Sequence, residues 1–436
     1  MKKRLLALIS TTLFLLSFLP SSVFAVEAIS SIPVDDFATS SESLESISLE
    51  KYNTLLMAWS TIPGIPSDRY ADFPSFYGGA YIDENKQLVI QVTEYNDNIL
   101  EYFADLIDLE GVRFQTVENS LTELFEIKHE LNERISANAS NPLSLSAQDS
   151  LIDGTGISIS NNSVNLYVKP DSVSAIATDA SVDIIESLIT GLANIQIVSF
   201  ESHFDDSSIV KINNSNSDNI AQTSAQNLME PGQTIYMQGS SYYPYGIGFW
   251  ATDAYGNLGI VTCGHGYKDG YFSPYKNALT GSGSLFGTIM PPCLFEDDVD
   301  ACFVRRDVAS ISPQRYVSGW DFSLSSDSTA TLAQGSTVYM SAPASGCRSG
   351  TVTDTHFSPY DASSGQSNRI PLEDAVLTTC YAAGGDSGGL VASHGSTSRG
   401  YVVGIVSGGI VPRNGNNQMY YAKVGPILYN LDLNVW

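Results

Sequence analysis

Near its C-terminus the chain carries Gly384-Gly385-Asp386-Ser387-Gly388-Gly389, one serine and one carboxylate among four glycines. A serine hydroxyl is a poor nucleophile at neutral pH. It needs a base to take its proton and N–H donors to hold the oxyanion that forms. Glycines on both sides let the chain bend sharply and let a substrate carbonyl come close to the backbone. The base in such chemistry is a histidine, usually oriented by a carboxylate. Of the five histidines, His265 has the best setting. It follows the β-like run Leu258-Gly259-Ile260-Val261-Thr262 and stands between Gly264 and Gly266. His356 and His394 sit in polar loops without comparable context, and His129 and His203 have no nucleophile nearby in sequence. Asp297, Asp298 and Asp300 are the carboxylate candidates. Asp300 directly precedes the apolar run Ala301-Cys302-Phe303-Val304, where it would be partly buried and fixed in orientation, and Asp298 is the second choice.

Around these residues the pattern is short strands separated by Gly, Ser, Pro and Asn turns, from Pro231 to the end, with one helix expected over Val424–Leu431. That periodicity predicts an antiparallel sandwich or barrel. Residues 76–204 read differently. Two units of hairpin, helix and strand follow one another: 79–92 with a helix from Asp97 and a strand at 112–117, then 156–168 with a helix over 179–190 and a strand at 195–200. A second amphipathic helix, 121–135, carries Leu121, Leu124, Phe125, Lys128 and Leu131 on one face. The tandem units suggest an internal duplication. Residues 205–231 are polar and aperiodic, a linker that holds the domain boundary and the maturation cut. Residues 26–75 read as a flexible lead-in, with a helical pattern only near Leu55–Trp59.

The chain has 436 residues, enough for two or three domains, and a net charge of −26. Residues 26–231 hold 8 Lys and Arg against 32 Asp and Glu, and residues 232–436 hold 10 against 15. This acidity argues against nucleic acid and anionic membrane as partners. Lys2-Lys3-Arg4, the apolar run from Leu5 to Phe18 and the small residues ending at Ala25 form a signal-peptide pattern over 1–25. The apolar run is short for a membrane anchor. A secreted, extracellular product is therefore expected. The five cysteines, Cys263, Cys293, Cys302, Cys347 and Cys380, all lie in the C-terminal half, without zinc-site spacing.

Thr262-Cys263-Gly264-His265, Asp300-Ala301-Cys302-Phe303-Val304, Gly385-Asp386-Ser387-Gly388-Gly389 and Gly404-Ile405-Val406-Ser407-Gly408-Gly409 occur in that order. Together they resemble the chymotrypsin-like serine proteases, more closely the secreted bacterial branch of streptogrisins and α-lytic protease. Residues 70–200 resemble that branch's pro-region, through Gly79-Ala80-Tyr81-Ile82-Asp83, Leu88-Val89-Ile90 and Val112-Arg113-Phe114. The resemblance implies an all-β double antiparallel barrel over 232–436 preceded by an α+β pro-region. It implies Ser387 as nucleophile, His265 as base then acid, Asp300 as orienter, and the N–H groups of Gly385 and Ser387 as oxyanion hole. Ser407, Gly408 and Gly409 would pair with the substrate backbone, and Tyr381, Ala382, Ala383 and Val406 would line the pocket with Gly408 and Gly409. No acid stands where a Lys/Arg-specific enzyme needs one, and no histidine precedes Ser407, so cleavage after apolar or aromatic residues is expected. The resemblance implies protein or peptide substrates and the chain's own pro-region as partners, a monomer, and no cofactor or metal.

Two departures from the family stand out. The family has a cysteine just after its histidine, where this chain has Gly266, and Cys347 and Cys380 lie on strands expected to be neighbours. A Cys347–Cys380 disulfide is therefore expected, contributing about 3–4 kcal/mol by loop-entropy arithmetic, while Cys263 and Cys302, which flank the three candidate residues, read either as buried thiols or as a second pair. The family also pairs the aspartate before its serine with an arginine. Asp386 has no obvious counterpart, Arg348 being the one suggestion. Two other readings compete. An α/β-hydrolase matches Gly-x-Ser-x-Gly but needs its acid and histidine after the serine, where only His394 follows. A non-catalytic binding protein on a protease-like scaffold would lack a working triad, and all three residues are present.

Overall fold

The computed structural model describes residues 41–138, 151–169, 179–199, 227–360, 370–394, 399–410 and 418–436. The expected leader, the start of the lead-in and the linker over 205–226 lie outside the described residues.

The first described element corrects the lead-in. Ser41–Trp59 is a 19-residue helix, α1. Its Ser- and Glu-rich start reads as a solvated segment, but Tyr52, Leu55, Leu56 and Trp59 are all buried. Their spacing of three and four makes a single apolar stripe. Trp59 Nε1 donates to the Tyr102 hydroxyl at 2.8 Å. The Asn53 amide accepts from Thr331 N at 2.8 Å and donates to Thr331 O at 3.0 Å, which ties α1 to the C-terminal half. The turn-rich stretch that follows is closed by a bridge between Ser60 and Ala71.

Strands β1 (Tyr77–Ile82) and β2 (Leu88–Val92) form an antiparallel hairpin. Helix α2 (Asp97–Ala104) then leads to β3 (Arg113–Thr116), which lies parallel to β2. Asn96 starts α2 by accepting from Ile99 N, and Ile99 and Phe103, four apart, are its buried face. Helix α3 (Leu121–Asn138) starts with a capping box. Ser120 Oγ accepts from Glu123 N at 3.2 Å while Glu123 Oε2 accepts from Ser120 N at 2.7 Å. The same order of elements recurs in β4 (Ile152–Ser158), β5 (Ser163–Val168), helix α4 (Asp179–Ile189) and β6 (Ile195–Ser199). Here too the third strand is parallel to the second.

From Asn227 onward the chain is β-rich. The first sheet holds β8 (Thr234–Gln238), β9 (Tyr242–Gly246), β10 (Phe249–Asp253), β11 (Leu258–Thr262), β12 (Asn277–Thr280), β13 (Leu285–Glu296), β14 (Val299–Arg306) and the terminal β23 (Leu433–Val435). Its order, β23-β10-β11-β14-β13-β12-β8-β9, curls into a half-barrel. The second comprises β17 (Thr337–Ala342), β18 (Gly346–Pro359), β19 (Ala375–Tyr381), β20 (Leu390–His394), β21 (Arg399–Ile410) and β22 (Gln418–Lys423). They run in the order β17-β20-β21-β22-β19-β18, and β18 returns to β17, closing a six-stranded barrel. Two short accessory strands, β7 (Asn227–Met229) and β15 (Ile311–Pro313), pair in parallel, and β16 (Ser323–Thr329) pairs with β21. One apolar cluster joins the two sheets: Phe249, Val261 and Phe303 from the first meet Leu390, Val402 and Ile405 from the second. The helix expected at Val424–Leu431 is present, and Ile427 and Leu428 enter the same cluster.

The N-terminal elements are part of this architecture. The end of β18 pairs with β4, Ser358 opposite Thr155 and Pro359 opposite Gly154, so β4-β5-β6 extend the second sheet to a continuous run.

Candidate active site

Strand β11 ends at Thr262, which lies opposite Cys302 on β14. That register brings the residues just after β11 alongside Asp300. The Asp300 carboxylate is fully buried. Its Oδ1 accepts from Gly264 N at 2.7 Å and from His265 N at 2.8 Å, and its Oδ2 lies 2.8 Å from His265 Nδ1. The Ser407 hydroxyl donates a further hydrogen bond to Oδ2. Both oxygens are thus held by contacts within the chain. Burial alone would lower the basicity of His265. The Asp300 carboxylate, helped by the Cys263 thiol, outweighs it and holds the imidazolium well above the usual histidine range.

His265 opens the one-turn helix α5 (His265–Lys268). Its ring sits among aromatics, Phe295 at 5.6 Å and Tyr245 at 6.3 Å between centroids. Gly266, where the sequence resemblance implies a cysteine, has a reason: a side chain there would run into the Tyr245 hydroxyl and the edge of Phe272. A tyrosine ring therefore occupies the space behind the histidine.

Ser387 lies in the loop between β19 and β20. The loop is bonded to both sheets. Gly246 N donates to Ser387 O at 2.7 Å, Gly388 N donates to Val406 O at 2.8 Å, and Val406 N donates to Gly389 O at 2.9 Å. Thr262, three residues before His265, donates its hydroxyl to Gly246 O at 2.8 Å, which links the strand before His265 to the residue that bonds Ser387 O. Gly385 adopts φ of +99°, which L side chains rarely reach. Among the described residues, neither Gly385 N nor Ser387 N has an acceptor. In this structure Ser387 Oγ has no hydrogen-bond partner among the described residues, and His265 Nε2 has Cys263 Sγ at 3.8 Å.

Asp386, fully buried, takes hydrogen bonds from Ala344 N (2.9 Å), Ser345 N (2.8 Å), Ala383 N (2.7 Å) and the Ser345 hydroxyl. Four donors stand where the sequence resemblance implies an arginine. Arg348 instead donates to Cys347 O at 2.8 Å. Of the expected pocket residues, Val406 and Ala382 turn into the barrel core, and Tyr381 ends β19 opposite Gln418. Gly408 faces Tyr420 on β22, whose hydroxyl fills the space a side chain at 408 would take. Gly409 follows, opposite Met419.

The expected Cys347–Cys380 disulfide is not formed, and both thiols are free. Strands β18 and β19 do pair, with Val352 opposite Thr378. That register puts Cys380 opposite position 350, so Cys347 is three residues off, roughly 10 Å along the strand. A disulfide needs Cα atoms within about 7 Å. Cys347 Sγ instead donates to Ser318 O at 3.3 Å, and Cys380 lies in the core of the closed barrel, its thiol pushed up to about 12 by burial.

The carboxylate and histidines passed over are engaged elsewhere. Asp298 accepts from Arg69 Nε at 2.8 Å. His394 stacks on Phe322, 4.6 Å between centroids. His129 is exposed on α3, and His203 lies outside the described residues. His356 belongs to a buried charged group. Its Nδ1 lies 2.7 Å from Asp374 Oδ1, and Lys423 Nζ lies 2.8 Å from Asp374 Oδ2 and 2.9 Å from Asp68 Oδ1. Close by, Lys128 Nζ donates to Glu373 O at 2.7 Å, and burial pushes this ammonium down to about 8. Asp68 and Lys128 come from the N-terminal elements, the others from the barrel. Four features of the site had no sequence signal that singled them out: the Ser407 hydroxyl on Asp300, the Tyr245 ring over Gly266, the Asp386 donors and Tyr420. Among the described residues no group of three or more His, Cys, Asp or Glu side chains could hold a metal ion, and no helix is long and apolar enough to cross a membrane.

Comparison with known proteins gives one family match, the Pro-like N-terminal domain, over residues 37–117. No curated protein sequence matches the chain. Among solved structures, the chain is similar to the Nocardiopsis protease NAPase, with 25% identity and a TM-score of 0.38, over 48% of this chain and 98% of that one. It is similar to a glutamic acid-specific serine protease, with 25% identity and a TM-score of 0.38, over 48% and 100%. Thermobifida fusca protease A aligns at 22% identity and a TM-score of 0.37, over 48% and 98%. The Pro-like match thus stands ahead of a domain whose own strands form a curled half-barrel and a closed six-stranded barrel, the chymotrypsin-like double-barrel architecture that the sequence resemblance implies.

Proposed function

We propose that the chain is the zymogen of a secreted serine endopeptidase. The observation that carries this reading is the fixed pair of His265 and Asp300, 2.8 Å apart, beside a serine loop with two unengaged backbone donors. In the proposed reaction His265 Nε2 takes the Ser387 proton as Oγ attacks the scissile carbonyl. The N–H groups of Gly385 and Ser387 receive the oxyanion, and Asp300 stabilises the imidazolium. His265 then protonates the leaving amine, and water resolves the acyl-enzyme by the same steps in reverse. Ser407 to Gly409 would pair with the substrate backbone as an added antiparallel strand. An apolar or aromatic side chain would sit beside Tyr420 and Gly408.

The domains proposed are a signal peptide (1–25), the pro-region to residue 204, a linker with the maturation cut (205–231) and the protease (232–436). The pro-region would act as folding template and inhibitor. Supporting this are the shared sheet at β4–β18 and the buried Asp68–Lys423 contact. A barrel dominated by non-local strand pairs folds slowly, which gives a template a purpose. The reading is tested with a peptide library and the secreted, processed protein. Hydrolysis after apolar or aromatic residues, abolished by Ser387→Ala, is expected. A strict preference for Lys, Arg or Glu would refute the specificity, and undiminished hydrolysis by Ser387→Ala would refute the mechanism.

A further inference from the structure

Strand β13 carries Cys293 and strand β14 carries Cys302, and the two residues are direct register partners. Opposed residues of an antiparallel ladder lie about 4.5–5.5 Å apart at Cα, inside the roughly 4.4–6.8 Å span of a disulfide, and their side chains share a face. Both sulfurs point to the same place. Cys293 Sγ lies 3.6 Å and Cys302 Sγ 3.7 Å from one acceptor, Met290 O. A register shift between Met290 and Cys293 makes β13 irregular at this point, so a small closing movement disturbs no regular ladder. Of the other three, Cys263 shares the buried cluster of Cys293 and Cys302 but is not a register partner of either, since Thr262 lies opposite Cys302, and its Sγ is 3.8 Å from His265 Nε2; Cys347 bonds Ser318 O, and Cys380 is in the core of the closed barrel.

We propose that Cys293 and Cys302 form a disulfide in an oxidising compartment, stapling the hairpin that carries Asp300. Both are free thiols in this structure. The oxidant is a small-molecule disulfide such as oxidised glutathione. The Cys293 thiolate, on the less buried residue, attacks one of its sulfurs and releases one glutathione thiolate. The Cys302 thiolate then attacks Cys293 Sγ and releases the second. Two protein thiols are oxidised, one glutathione disulfide is reduced, and the two protons end on the released thiols. The staple bears on the site. Two residues beyond Cys293, Phe295 lies opposite Asp300, its ring is 5.6 Å from His265, and its carbonyl accepts from Lys268 Nζ at 3.0 Å. A bond at 293–302 would fix that wall of the histidine pocket.

The full chain carrying Ser387→Ala, equilibrated with oxidised glutathione, then denatured and alkylated, tests this. Three alkylatable thiols are expected, rising to five after reduction, with the cleavage products on either side of Glu296 linked through Cys293 and Cys302. The melting temperature should fall by several degrees on reduction, and Cys293→Ala/Cys302→Ala should show no such fall. Five alkylatable thiols after oxidation, or a link from either residue to Cys263, Cys347 or Cys380, would overturn the proposal. So would a melting temperature that reduction does not move. The thiol count on the parent decides the matter if the double variant does not fold.

Discussion

Replacing Asp68 by Asn should loosen the pro-region from the barrel. Asp68 Oδ1 and Lys423 Nζ are 2.9 Å apart, and each side chain is under 5% exposed. At an effective dielectric of about 20, unit charges at that distance attract by about 6 kcal/mol. Part of this offsets the cost of taking Asp68 out of water, so breaking a buried pair typically costs about 3–5 kcal/mol. Lys423 keeps Asp374 at 2.8 Å. The loss should therefore fall at the lower end, about 3 kcal/mol. A surface pair gives the contrast: Arg113 and Asp83 are 2.7 Å apart, but the arginine is 49% exposed. Arg113→Gln should cost no more than about 1 kcal/mol. Urea unfolding of the full chain, with Ser387→Ala to prevent self-cleavage, measures both at constant m. An Asp68→Asn loss no larger than that of Arg113→Gln would refute the claim that this buried contact holds the pro-region.

Two further outcomes follow from the site. In the proposed mechanism His265 must be neutral to act as base, and Asp300 holds its imidazolium well above the ordinary value of about 6.5. The acid limb of kcat/KM should therefore lie above that value, and Asp300→Asn should move it down while lowering the plateau by about four orders of magnitude. A limb at or below 6.5, or one that Asp300→Asn leaves in place, would contradict the assigned pair. Gly266→Ala should destabilise by about 1–3 kcal/mol through collision with the Tyr245 hydroxyl, and Tyr245→Phe should recover part of that loss in a melting experiment. Equal stability of Gly266→Ala and parent would show that the ring does not fill this space.

What could be read in the amino-acid order was what local pattern carries. The hairpin, helix and strand units declare themselves by alternating and 3.6-residue periods, and the barrel strands by regular turn punctuation. The contact between His265 and Asp300 was legible because each sits at a strand end, where register decides what meets. Helix α1 was not, because Tyr52, Leu55, Leu56 and Trp59 are few among serines and glutamates. The disulfide was misjudged because neighbouring strands were foreseen but not their register, and three residues separate a bridge from two free thiols. Asp68 gave no local sign of its role, since its partner Lys423 is 355 residues away in the chain.

The central claim is that Ser387 is a nucleophile activated by His265. Labelling the processed protein with a fluorophosphonate and mapping the adduct tests it most directly. The account predicts one adduct, on Ser387, absent from Ser387→Ala and strongly slowed in His265→Ala. No adduct, an adduct on another serine, or labelling that persists in Ser387→Ala would contradict it.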